Sequence, residues 1–186
     1  MKNYLEKFKD KKIGILGCDV EGLATYNYLK KHGLSAVIFD QADKKSFLDK
    51  NPEIKKDKPK TYLGPTYLEY LQEMDIIFKT PGIPILRPEI QTAIKKGVVF
   101  TSQTNFFFEA SPAPIIGITG TKGKGTTSTL IYEILKSANK NVYLGGNVGV
   151  SPIGFLDNLT KDSVVVLELS SFQLQTLKTS PHIAVV

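Results

Sequence analysis

Short apolar runs alternate with amphipathic segments along the whole chain. Buried strands are predicted at residues 11–16, 36–39, 62–63, 75–79, 98–101, 114–118, 142–144, 163–169 and 182–186. Helices are predicted between several of these runs, at residues 23–31, after Thr66 as a cap, after Pro88 and from about Gly125. Because strands that alternate with helices form parallel sheets with right-handed crossovers, the pattern predicts an α/β protein.

One strand runs directly into a loop rich in glycine, threonine and lysine. Residues 119–127 read Thr-Gly-Thr-Lys-Gly-Lys-Gly-Thr-Thr, and a helix follows. Glycines let backbone N–H groups approach anionic oxygens, and the helix N-terminus adds partial positive charge. Lys124 supplies a full charge, and a hydroxyl just after it can reach magnesium. A phosphate loop is predicted over the alternative of an ordinary glycine-rich turn, although Ile118 and Gly125 depart from the common pattern.

The first predicted strand also ends in a turn that contains glycine. Gly17 and Gly22 bracket this turn, and Asp40 follows the second strand. An acid after the second strand binds the ribose in dinucleotide-binding folds, but Asp19 occupies the place of the middle glycine in their fingerprint. These residues predict a Rossmann-like unit and leave open whether it binds a nucleotide.

Two other strand ends carry candidate ligand-binding residues. Thr80, Pro81 and Gly82 form a rigid turn at the carboxyl edge, where parallel sheets bind ligands. The alternative is a turn that only connects a strand to a helix. Glu168 lies at the end of another strand, in the same half of the chain as the phosphate loop. A carboxylate in that position suits a magnesium ligand, and the alternative is an acid that caps the next helix.

Composition narrows the functional classes. The 24 basic and 18 acidic residues give a net charge of +6. Acidic residues are mixed into the lysine-rich segment at residues 44–60, and no basic patch interleaved with aromatics is present, so we expect no nucleic-acid partner. The single Cys18 suits a reducing cytoplasm. No apolar run approaches the roughly 20 residues of a membrane helix, so we expect a cytoplasmic protein without a membrane partner.

Two strings of residues carry a resemblance to a known family. Gly-Ile-Thr-Gly-Thr-Lys-Gly-Lys-Gly-Thr-Thr at residues 117–127 resembles the phosphate loop of the Mur ligases and the related folylpolyglutamate synthases. Glu-Leu-Ser-Ser-Phe-Gln-Leu at residues 168–174 is similar to the Mur ligases that add D-glutamate. Lys122 replaces the family's usual Asn, and Gly125 shifts the metal-binding hydroxyl to Thr126 or Thr127.

The resemblance extends over almost the whole chain and implies two domains. Residues 1–110 would form a Rossmann-like domain that binds a UDP substrate, and residues 111–186 the first part of a phosphate-loop ATPase domain, the Mur ligase central domain. The proline-rich residues 111–114 fit a linker at this boundary. The chain ends inside a predicted strand, so we expect a truncated central domain and an incomplete fragment that is inactive alone.

The resemblance also implies an ATP-dependent ligase of peptidoglycan synthesis, which serves cell-wall biogenesis, cell shape and cell division. With ATP and Mg²⁺, such an enzyme converts the carboxylate of UDP-N-acetylmuramoyl-L-alanine into an acyl phosphate, which the amine of D-glutamate attacks. Lys124 and Glu168 would be catalytic, and Thr126 and Glu168 would bind the metal. The phosphates of ATP would contact Gly120, Thr121, Lys122, Gly123, Lys124, Gly125, Thr126 and Thr127. The UDP substrate would contact Val20, Glu21, Asp40, Gln41, Thr80, Pro81, Gly82, Asn147, Ser170 and Gln173.

Three alternatives to this function stay open. A folylpolyglutamate synthase-like ligase is indicated by Gly125, but such a ligase should lack the string at residues 168–174. A non-catalytic nucleotide-binding module is compatible with the length of the chain. A nucleic-acid binder rests only on the net charge and would show binding that weakens steeply with salt. For the full-length ligase we expect a monomer.

Overall fold

The computed structural model describes residues 2–147 and 150–186. The chain divides into two compact units. The first is Leu5–Gln103, and the second is Thr104–Val186 together with residues 2–4. The units separate between Gln103 and Thr104, whereas the boundary predicted near residue 110 lies seven residues farther along the chain.

Five parallel strands form the sheet of the first unit. They are β1 (Ile13–Leu16), β2 (Ala36–Asp40), β3 (Thr61–Leu63), β4 (Ile76–Lys79) and β5 (Val99–Thr101). Their order is β3-β2-β1-β4-β5, so the chain turns from one side of the sheet to the other at β1. Ligands of open α/β sheets bind at such a switch point, outside the carboxyl ends of the strands. This topology confirms the predicted parallel α/β fold.

Helices connect these strands in the crossover pattern. They are α2 (Val20–Lys31), α3 (Lys44–Lys50), α4 (Pro52–Asp57) and α5 (Pro88–Lys95), whereas α1 (Lys2–Glu6) precedes the first strand. The lysine-rich segment forms α3 and α4 because Phe47 and Ile54 are buried and anchor these short helices. Asp43 caps α3 by accepting hydrogen bonds from the N–H groups of Lys45 and Ser46.

The helix predicted after Thr66 does not form. Residues 65–70 make turns, and a short 3-10 helix follows at Leu71–Glu73. Tyr67, Leu68 and Leu71 are all buried in one apolar cluster with Phe39 and Ile77. The backbone N–H groups here bond three residues back, as Glu69 does to Thr66, instead of four, so the segment forms tight turns while its apolar side chains still reach the cluster.

The second unit contains a sheet of four parallel strands in the order β7-β8-β6-β9. Its elements are α6 (Gln103–Ala110), β6 (Ile115–Ile118), α7 (Lys124–Ser137), β7 (Asn141–Gly146), β8 (Ser163–Glu168), α8 (Ser171–Leu174) and β9 (Ile183–Val185). Helix α6 begins at the last residue of the first unit. Phe107 is buried and meets Phe155 edge to face, with 5.7 Å between the ring centres, so it belongs to the core of the second unit.

Two polar side chains fix the approach to β9. The amide of Asn105 donates to the carbonyl of Thr176 at 2.7 Å and accepts from the N–H of Lys178 at 2.9 Å. His182 Nδ1 accepts from the N–H of Ile115 at 3.1 Å. These bonds satisfy the backbone of a segment that lacks regular structure of its own.

Candidate functional site

The loop between β6 and α7 leads directly into the N-terminus of a helix. Gly123 is the N-cap of α7, with φ of 80°, and within the described residues no side chain makes a capping hydrogen bond there. Gly120 also has positive φ, at 137°. Thr121, Lys122 and Gly123 are exposed. A helix N-terminus that has an exposed glycine and no side-chain cap among the described residues is suited to bind phosphate.

Lys124 lies across this loop. Its Nζ donates to the carbonyl of Gly120 at 2.9 Å, so the ammonium group stays close to the backbone that would surround a phosphate. Ser128 is fully buried, and its hydroxyl donates to the carbonyls of Lys124 and Gly125. Thr126 is exposed and Thr127 half-buried, so these two hydroxyls, rather than that of Ser128, are the candidates for a metal.

Glu168 ends the strand that lies beside β6. In the register of β6 and β8 it is opposite Ile118, the last residue before the phosphate loop. The side chain is buried, and Oε2 has no hydrogen-bond partner among the described residues. The N-cap of α8 is Ser170 and not Glu168, so the capping alternative does not hold for this acid. A buried carboxylate oxygen without a partner is unfavourable unless a cation or donor joins it.

A single carboxylate is a sufficient protein ligand for magnesium at a nucleotide site. Within the described ranges, no group of three His, Cys, Asp or Glu side chains forms a metal-binding cluster. Magnesium, however, is commonly bound by one or two carboxylates together with water and substrate phosphates. Glu168 with a hydroxyl of the phosphate loop therefore fits Mg²⁺ that arrives with a nucleotide.

The turn after β7 is held tightly against the end of β8. Gly146 has φ of 105°, and a Cβ atom on it would lie 2.1 Å from the carbonyl oxygen of Glu168. The N–H of Asn147 donates to the same oxygen at 3.2 Å. Asn147 is exposed beside this turn, while Val148 and Gly149 lie outside the described residues. Only glycine at position 146 allows the two strand ends to approach this closely.

Ser170 and Gln173, both predicted substrate contacts, form a capping box at the start of α8. The hydroxyl of Ser170 accepts from the N–H of Gln173 at 3.2 Å, and Oε1 of Gln173 accepts from the N–H of Ser170 at 2.9 Å. The geometry shows a structural role for both side chains. Their contact with a substrate stays a prediction.

In the first unit, the turns after β1 and β4 meet at the carboxyl edge of the sheet. A Cβ on Gly17, whose φ is 86°, would lie 2.3 Å from Oγ1 of Thr80, and a Cβ on Gly22 would lie 2.0 Å from the carbonyl oxygen of Gly17. Asp19 caps α2, where its Oδ1 accepts from the N–H groups of Glu21 and Gly22. A carboxylate therefore already occupies the helix terminus, which explains the departure from the dinucleotide fingerprint.

Asp40 joins the end of β2 to the turn after β1. Its two carboxylate oxygens accept from the N–H groups of Cys18 and Ala42, each at 2.9 Å. Burial, followed by the charges of Asp40 and Asp19, raises the pKa of Cys18 to about 12, so its thiol stays protonated at neutral pH. Gln41 and Val20 are exposed beside these turns.

Lys79 is a residue at this edge that sequence reasoning missed. It is buried at the end of β4, and its Nζ donates to the carbonyls of Thr80 at 2.9 Å and Ile83 at 2.6 Å. Burial lowers its pKa, and the charge of Glu21 opposes this shift. The side chain thus fixes the turn that contains Pro81 and Gly82. A lysine at the last, inward position of a buried strand was the available signal.

The predicted site residues form two groups, one in each unit. At the carboxyl edge of the first sheet are Val20, Glu21, Asp40, Gln41, Thr80, Pro81 and Gly82. At the carboxyl edge of the second sheet are the phosphate loop, Asn147, Glu168, Ser170 and Gln173. Each group lies where ligands of parallel sheets bind.

Comparison with known proteins identifies both units. A family model described as Mur ligase MurD-like, N-terminal domain matches residues 11–102, and the Mur ligase middle domain matches residues 118–186. The chain belongs to the Mur ligase family. This confirms the resemblance carried by the phosphate loop and by the string that begins at Glu168.

Over its whole length the chain is similar to Mur ligases that are named for D-glutamate addition. It is 39% identical to the UDP-N-acetylmuramoylalanine--D-glutamate ligase of Acetivibrio thermocellus and 37% identical to those of Ruminiclostridium cellulolyticum and Clostridium botulinum. The chain spans 40% to 42% of the length of these relatives.

Two solved Mur ligase structures also match. Murein peptide ligase Mpl of Psychrobacter arcticus has a TM-score of 0.46 and 14% identity. The matched part is 87% of this chain and 39% of the Mpl chain. A pseudomurein peptide ligase type C of Methanothermus fervidus has a TM-score of 0.42 and 23% identity. The matched part is 87% of this chain and 33% of that ligase chain.

Within residues 2–147 and 150–186, no helix is long and apolar enough to cross a membrane.

Proposed function

We propose that this chain belongs to an ATP-dependent ligase that adds D-glutamate to UDP-N-acetylmuramoyl-L-alanine. The observation that carries the proposal is the buried Oε2 of Glu168, which has no hydrogen-bond partner within residues 2–147 and 150–186 and lies on the strand beside the one that enters the phosphate loop. The relatives named as D-glutamate ligases supply the substrate class. The MurD-like N-terminal match favours this branch over a folylpolyglutamate synthase.

In this proposal the second unit holds the triphosphate. The N–H groups of the phosphate loop and the start of α7 bind phosphate oxygens, and Lys124 stabilises the charge on the transferring phosphoryl group. Glu168 and Thr126 would hold Mg²⁺, which neutralises phosphate charge when it is bound. The protein positions and neutralises groups, and the carboxylate of the muramoyl substrate performs the attack.

The first unit binds the UDP part of the substrate in this proposal. Asp40 and Gln41 lie after β2, and Thr80, Pro81 and Gly82 lie after β4, on both sides of β1. The paired turns around Gly17 leave little freedom in the loop, so the ligand would meet an ordered site.

Asp40→Ala should weaken the binding of UDP-N-acetylmuramoyl-L-alanine by roughly 10-fold, because the change removes two hydrogen bonds that order the loop as well as a ligand contact. Isothermal titration calorimetry measures this affinity. The matched control is Asp43→Ala, which removes a similar cap from α3 outside the predicted site. Unchanged affinity in Asp40→Ala would contradict the placement of the UDP site at Asp40. Binding of NAD instead of the UDP substrate would favour the interpretation of the first unit as a dinucleotide-binding domain.

The 186-residue chain by itself should release no phosphate in response to D-glutamate. The chain spans only 40% to 42% of the length of the D-glutamate ligases that it resembles, and phosphoryl transfer without correctly positioned groups is slower by orders of magnitude. The assay measures phosphate from ATP with UDP-N-acetylmuramoyl-L-alanine and Mg²⁺, with and without D-glutamate. Stimulated release that is lost in Lys124→Ala would show that the chain alone suffices.

A further inference from the structure

A separate cavity lies at the opposite edge of the first sheet. Its volume is about 670 Å³, and it opens at the amino ends of the strands rather than at the carboxyl ends where the candidate UDP site lies. Lys11 and Lys12 precede β1, Lys60 precedes β3, and Met74 precedes β4. None of the residues assigned to ATP, metal or UDP lines this cavity.

The interior of the cavity is apolar. Ile13, Ala36 and Met74 are buried at its base, and Leu34 and Val37 are half-buried beside them. A volume of this size lies within the range of about 300–1,000 Å³ found for small-molecule sites, which are also mostly apolar. The cavity can therefore accept an organic ligand with a ring-sized apolar body.

The rim of the cavity is positively charged. Lys30 pairs with Asp57, and Lys60 lies 3.8 Å from Glu73. The hydroxyl of Tyr26 donates to Asp57 at 3.2 Å, which fixes that acid further. Lys11 and Lys12 also line the rim, and neither has an ion-pair partner among the described residues. An anion can therefore approach two lysines without displacing an internal pair.

The nearby end of α2 limits the charge of such an anion. Lys30 is in the last turn of α2, and Leu34 follows that end. A helix C-terminus carries partial negative charge, which opposes a multiply charged phosphate more than a single carboxylate. We propose that this cavity binds a small organic monoanion, a carboxylate with an apolar or aromatic body, between its apolar base and Lys11 and Lys12.

The test uses 1-naphthoate as the probe and the 186-residue chain labelled with ¹⁵N. We expect saturable amide shifts at residues that line the cavity, such as Ile13 and Ala36. Neutral 1-naphthamide should bind about threefold to tenfold more weakly, because it lacks the charge that the exposed lysines attract. The double variant Lys11→Gln/Lys12→Gln should lose affinity for 1-naphthoate to the same extent, whereas the surface control Lys95→Gln/Lys96→Gln should keep it.

Three results would overturn the proposal. They are the absence of saturable shifts, equal affinity for the acid and the amide, and shifts confined to the edge that contains Gly17 and Asp40. Leu34→Trp provides a second test, because the larger side chain should intrude on the apolar base beside Ala36 and weaken binding while circular dichroism shows a folded chain. If Leu34→Trp does not fold, the lysine variant, which changes only exposed side chains, still decides the outcome.

Discussion

Lys124→Ala should lower phosphate release from ATP by roughly 100- to 1000-fold in a full-length ligase that carries this sequence. The ammonium group lies 2.9 Å from the carbonyl of Gly120, inside the loop that would surround the phosphates, and alanine removes its charge. Because the lost interaction is strongest in the transition state, kcat should fall more than KM for ATP rises.

The control for this experiment is Lys140→Ala, which removes an exposed lysine beyond the end of α7. It should leave the rate unchanged. A Lys124→Ala enzyme that retains most of its rate would mean that the loop binds phosphate without stabilising the transferring group. Circular dichroism of both variants checks that α7 stays folded.

Glu168→Gln should change activity and stability in opposite directions. The substitution keeps the shape of the side chain and removes a buried charge whose Oε2 has no partner among the described residues. The ligand-free protein should therefore gain about 1 kcal/mol in the free energy of unfolding. The Mg²⁺-dependent activity of the full-length ligase should fall by roughly 100-fold or more, because the amide is a poor magnesium ligand.

Urea unfolding and activity as a function of Mg²⁺ concentration measure the two effects. The matched control is Glu133→Gln, an exposed acid on α7, which should change neither. A Glu168→Gln protein that is less stable than the parent would show that the carboxylate is satisfied in the ligand-free state. Full activity at ordinary Mg²⁺ would contradict its role as a metal ligand.

Hydrophobic pattern was sufficient to predict the strands. The central strands of the parallel sheets are buried on both faces, so they read as nearly continuous apolar runs, as at Ile13–Leu16 and Ser163–Glu168. Glycines followed by a lysine at a strand–helix junction then predicted the phosphate loop at the place where the structure has it.

Features that depend on tertiary packing were harder to predict. The turn at residues 65–70 carries a capping signal at Thr66, yet its backbone bonds reach three residues back and form turns instead of an α-helix. Helix α6, which contains three consecutive phenylalanines, was not among the predicted helices. Lys79 looked like an ordinary strand end, and only the fold shows that its ammonium group reaches two carbonyls of the following turn.

Side-chain roles were the least predictable part of the candidate site. The string at residues 168–174 indicated the family. It could not separate Glu168, whose Oε2 has no partner among the described residues, from Ser170 and Gln173, which bond to each other. The residue pattern also could not show that the carboxylate of Asp19 caps α2. Hydrogen-bond partners decide these roles, and they are set by backbone geometry that a residue pattern does not contain.

The two bonds accepted by Asp40 also have a kinetic consequence. Because they hold the turn after β1 before any ligand arrives, association need not wait for that loop to order. Association rates should then depend mainly on diffusion and charge, in a single exponential phase that slows as salt is added. Substitutions at this edge that keep the bonds of Asp40 would alter residence time, whereas loss of those bonds would introduce a slow, concentration-independent phase.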